Sequence, residues 1–184
     1  MKTKLNEDFY RKVNLVIDEK IENNNNRTLL RKINWEELSL SCFNQITSFF
    51  DTISVEKLED NDIEKIGAIS FNWNQYGGDI TIDFTPNNNK DTAFDEGYIM
   101  ADTAIDNNSF FQKYFGCTGK DNFETVGDDH YDYTFLIYLF QLVIEEIIPE
   151  IAQTNVFNKL PRKSPCHFGF SAFDDELPDI FYSL

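Results

Sequence analysis

The chain has 184 residues, with 32 acidic against 16 basic side chains, a net charge of −16 and a pI near 4.3. Its 18 Phe, 8 Tyr and 2 Trp exclude a disordered acidic tail, and its length fits one domain spanning 1–184, able to bury roughly 70% of its unfolded surface. Nucleic acid and anionic membranes repel such a charge, so neither is expected as a partner.

Leu5, Phe9, Val13, Val16, Ile17 and Ile21 recur at helical spacing and predict an amphipathic helix starting near Asn6 or Glu7. Asn23–Asn26 reads as the polar loop that ends it. Asn34 followed by Glu37 resembles a capping box, opening a second helix with the stripe Trp35, Leu38, Cys42, Ile46, Phe49, Phe50 and Ile53. The Leu38–Ser41 alternation competes with it as a strand signal. Next, Ile69, Phe71 and Trp73 alternate with polar residues, Asn74 to Gly78 supplies turn chemistry, and Ile80, Ile82 and Phe84 alternate again. This is an antiparallel hairpin near 66–84 with one buried aromatic–aliphatic face.

Residues 90–129 are rich in Asp, Asn and Gly and suggest long loops. Within them Ser109–Phe115 predicts a short helix capped by Asn108 or Ser109 and stopped by Gly116. Asp128 or Asp129 then caps a strongly apolar helix starting near Tyr131, the central core helix, which Pro149 should kink or end. Phe168, Phe170 and Ala172 alternate with Gly169 and Ser171 in a short strand, followed by Asp174-Asp175-Glu176. The expected fold is α+β: an antiparallel sheet packed against several helices.

The start has no apolar stretch of a signal peptide, and the most apolar segment, 135–144, falls short of the roughly 18 residues that read as a membrane span. Cys42, Cys117 and Cys166 make neither a disulfide framework nor a CxxC pair. A reducing cytoplasm is the simplest setting.

Candidate chemistry is thin. Asp128, Asp129, His130 and Asp132 hold metal-ligand or acid–base potential, and a metal-dependent hydrolase built on them is the alternative reading. Capping at the positive end of a helix accounts for the same acids. Cys166 and His167, with Cys117 and His130, include zinc-ligand types, but neighbours in a strand face opposite ways, so a buried thiol beside a partly exposed ring is the simpler reading. Glu145-Glu146 reads as a solvated pair, although one could be a buried acid. Ser70 and Ser171 lack a nucleophile elbow, and no phosphate-binding glycine loop is present. No catalytic residue, metal or cofactor is expected.

The acidity remains. Acidic residues cluster at 56–64, 91–106, 121–132 and 174–179, and together they favour encounter with a basic partner. In length, charge, asparagine-rich loops and the Gly-Gly hairpin, the chain resembles bacterial immunity proteins of contact-dependent inhibition and polymorphic toxin systems. The resemblance implies a cytosolic inhibitor that blocks the active site of a cognate toxin, often a basic nuclease. The expected contact residues are Tyr76, Asp79, Asp174, Asp175 and Glu176, with aromatic anchors beside acidic loops. A strand edge of the hairpin is a further expected contact, through β-augmentation. An acidic nucleic-acid mimic is a third reading.

Overall fold

A computed structural model describes residues 5–74, 77–95, 102–117, 130–172 and 178–184. Among these residues the chain forms seven helices and five strands: α1 (Glu7–Glu19), α2 (Asn24–Leu30), α3 (Trp35–Asp51), α4 (Val55–Glu59), β1 (Ile66–Trp73), β2 (Ile80–Thr85), β3 (Asp102–Ile105), α5 (Asn108–Phe115), α6 (His130–Ile151), α7 (Asn155–Asn158), β4 (Arg162–Ser171) and β5 (Asp179–Ser183). The strands make one sheet in the order β3-β2-β1-β4-β5. The fold is α+β, as expected. The sheet is mixed rather than wholly antiparallel, because β1 and β4 run parallel at its centre. Such a pair needs a long crossover, supplied by everything between β2 and β4, α6 included.

Helix starts follow local chemistry. The side chains of Asn6, Asn23, Asn34, Ser54 and Thr154 each accept a backbone N–H of the turn they open. The Asn23–Asn26 run is therefore not a loop: Asn23 caps α2 and Asn24–Asn26 form its first turn. The capping box at Asn34 is half made. Asn34 Oδ1 accepts from Glu37 N, but Glu37 turns its carboxylate to Lys113, and Asn34 N donates to Tyr114 Oη instead. At the end of α5, Gly116 adopts the left-handed conformation (φ 69°) that any side chain would strain. Pro149 lies within α6, which ends two residues later at Ile151.

All the apolar stripe positions of α1 and α3 are buried. The hairpin pairs as expected, Trp73 with Ile80, Phe71 with Ile82 and Ile69 with Phe84. These residues, with Cys166, Phe168 and Phe170 of β4, face α3 and α6 in one core. Trp73 is its hub at the end of β1: its ring lies 4.9 Å from Phe140, and its Nε1 donates to Tyr133 Oη at 3.2 Å.

The opposite face of the sheet departs from the expected pattern of one buried side. Ser70, Asp83, Thr85, His167 and Ser171 are all less than 7% exposed. Residues 86–95 return across this face: Ala93 and Phe94 join Ala68 and Ile180 in a second small cluster. At Gly67 the returning chain comes so close that a Cβ would sit 2.5 Å from the backbone of Pro86 and Asn87.

Candidate functional site

β1 and β4 are adjacent and parallel, with Asn72 beside Ser171, so both strands release their following loops at the same end of the sheet. β2 starts there, since Ile80 pairs with Trp73, and β3 finishes there, since Ile105 pairs with Ile80. The first turn of α6 reaches the same end through Tyr133. Element ends separated widely in sequence thus share one rim.

The rim is built on satisfied backbone. Asn74 N donates to Asp79 O at 2.9 Å, and Gly78 N to Asn74 O at 2.7 Å. Asn107 is a cap position that spends its amide elsewhere, donating Nδ2 to Gly78 O at 2.6 Å. Asp79 is half-buried, and its carboxylate accepts the Thr103 hydroxyl at 3.0 Å, tying the hairpin loop to β3. Of the expected contacts, Asp79 lies on this rim; Tyr76, Asp174, Asp175 and Glu176 lie outside the described residues. Their flanking strands, β1 and β4, end side by side.

Charge is sorted along the sheet. The five cations closest in sequence to a strand, Lys65, Lys90, Lys159, Arg162 and Lys163, all adjoin the opposite end, where Ile66 pairs with Arg162. No Lys or Arg occurs in 66–89, 102–112 or 164–184, which hold Asp79, Asp83, Asp102, Asp106, Asp174, Asp175, Glu176 and Asp179. Asp79, Asp106 and Asp179 stand where β2 begins, where β3 ends and where β5 begins, so the described strand ends at the rim carry acids and no Lys or Arg.

The candidate ligand clusters resolve differently. Asp132 is 1% exposed, and its two oxygens accept Glu22 N (2.7 Å), Asn23 N (3.1 Å) and Asn26 Nδ2 (2.9 Å). It fastens α6 to the junction of α1 and α2, which removes it from a ligand set pointing outward. Asp128 and Asp129, and the side chain of His130, lie outside the described residues. Cys166 faces the core and His167 the other side of the sheet, as strand alternation requires. The His167 ring is buried rather than partly exposed, with Nδ1 2.8 Å from Ser183 Oγ and Nε2 3.1 Å from Asn88 O. Burial pushes the thiol pKa of Cys42 up to about 12 and that of Cys166 up to about 11, which keeps both protonated and unreactive. Among the described residues no group of three or more His, Cys, Asp or Glu is placed to hold a metal ion. Glu145 is half-buried, and desolvation raises its pKa; Glu146 accepts Asn6 Nδ2 at 2.6 Å.

Asp83 is the group that sequence reasoning missed. Its place in the alternating run assigned it to a solvated face, but it is 4% exposed. Oδ2 accepts Asn72 Nδ2 at 2.8 Å, while Oδ1 is buried with no hydrogen-bond partner. Burial pushes its pKa up to about 6, against the pull of the Asn72 amide.

The chain thus belongs to the single-sheet α+β class. Comparison with protein families, with curated proteins and with solved structures finds no match.

Proposed function

We propose that the protein is an immunity protein of the bacterial cytoplasm. It binds a cognate basic toxin, with a nuclease domain the favoured kind, and blocks its active site. The observation that carries this reading is the sorting of charge along the sheet, with acids and no Lys or Arg at the described strand ends where β1 and β4 finish together. Such a rim matches a groove built to hold phosphates, because it presents to the cations of that groove the same negative charge that phosphates do. Acidic side chains from the rim occupy that groove, and aromatic side chains of the adjoining loops add desolvated contact area. Among the described residues no helix is long and apolar enough to cross a membrane. The hydrolase alternative is weakened by the structural employment of Asp132.

The test begins with the neighbouring gene. Its product, or the C-terminal domain of that product, is co-expressed with this chain and assayed for growth arrest and for complex formation. Protection by the wild-type chain, lost on charge reversal at Asp79, Asp174, Asp175 and Glu176, is the expected result. A neighbour that is not basic, or protection that survives the charge reversal, refutes the reading.

A further inference from the structure

The hairpin edge expected to accept a partner strand is not free. β2 is covered by β3 and β1 by β4, so the edges of the described sheet are β3 and β5. β3 is four residues long and runs to the acidic rim. Its outer side opens on a groove of about 550 Å³ between α3 and β3. Phe49 and Ala104 give the groove an apolar floor, and Asn44, Ser48, Thr52 and Thr103 give it polar walls.

This edge is held ready. Asp106 N donates to Gln45 Oε1 at 2.8 Å, pinning the end of β3 to α3, and Thr103 is tied to Asp79. An edge strand presents a row of unpaired backbone groups, and natural sheets commonly guard such a row with lysine. Here that lysine is absent: residues 91–112 hold five acids and no Lys or Arg, and α3 holds Glu36, Glu37 and Asp51 and no Lys or Arg.

We infer that the β3 edge and the α3 groove form a docking site for an extended basic segment of a protein partner. The segment adds a strand to β3, sets alternate small apolar side chains on the Phe49–Ala104 floor, and directs its Lys and Arg toward Asp51, Asp79 and Asp106. Charge selects this occupant over a second copy of the chain, which carries the same −16. The inference rests on the immunity reading for the basic character of the partner, and it adds the surface and the binding mode.

The full-length chain is titrated at low salt with a roughly ten-residue peptide of alternating lysine and valine, and with its glutamate–valine counterpart, while backbone amide resonances are followed. The lysine peptide should shift Thr103 and Ala104, and the glutamate peptide should not. Ser48→Arg, at an exposed position on the groove wall, should weaken the lysine peptide at least about tenfold with thermal stability unchanged. Asn44→Arg, also exposed, is the second variant should Ser48→Arg disturb folding. Shifts confined to other surfaces, or binding of the lysine peptide by the variants as tight as by wild type, overturn the inference. A basic neighbouring gene product that binds wild type and Ser48→Arg alike overturns it and leaves the immunity reading standing. Peptide binding at β3 with no neutralisation of that product supports the site and removes the reading.

Discussion

Replacing Asp83 by asparagine should make the protein more stable at neutral pH, by an amount that grows from about pH 4 to 6 and then levels off. Burial pushes the carboxyl pKa up to about 6 in the folded protein, against an ordinary 3.8. The folded state therefore holds this proton more tightly than the unfolded chain. Below pH 3.8 both states are protonated and the group is neutral in its effect. Between 3.8 and 6 only the folded state keeps the proton, so stability falls as pH rises, and above 6 the loss is complete. At about 1.36 kcal/mol per unit the full loss is about 3 kcal/mol. Asparagine has nearly the same shape and cannot ionise. Any cost of placing its amide beside the orphaned Oδ1 position is independent of pH and shifts the difference curve without changing its slope. Urea unfolding of both proteins at half-unit steps from about pH 4 to 8 isolates the effect, because every other titrating group is common to the two. The difference should rise in favour of Asp83→Asn through pH 4–6 and level off above. A difference that stays flat within about 0.5 kcal/mol, or one that runs the other way, refutes the assignment of a buried, desolvated carboxyl.

Asp132→Ala should destabilise the fold by about 3 kcal/mol or more, because three donors at the α1–α2 junction lose a charged acceptor, and Asp132→Asn should recover part of that loss in the same urea assay. Gly67→Ala should cost about 1–3 kcal/mol in thermal or urea melts, since its new methyl meets the Pro86–Asn87 backbone at 2.5 Å and backbone does not yield as a flexible side chain does. Cys42 and Cys166 should fail to react with a thiol reagent such as DTNB in the native protein at pH 8 and react fully in urea; fast native reaction at either would contradict their burial.

Local pattern alone determined a good deal of this molecule. The stripes of α1 and α3, the asparagine and glycine boundaries at Asn34 and Gly116, and the register of the β1–β2 hairpin all follow from spacing and from turn or cap chemistry, which act over a few residues. The net charge was equally plain, and with it the sign of any field. Tertiary structure decided where that charge is placed. Nothing local says that β4 lies parallel beside β1, yet this pairing brings the ends of the two strands together and leaves the nearby cations at the far end. Nor does alternation reveal that residues 86–95 pass over the second face of the sheet, or that Asp83 on that face is buried rather than solvated. Asp132 shows the same limit: its place in a cluster of metal-ligand types suggested chemistry, and its three partners, more than a hundred residues away, assign it to structure. Spacing reports which side of an element is apolar. What the other side meets depends on chain that comes from elsewhere.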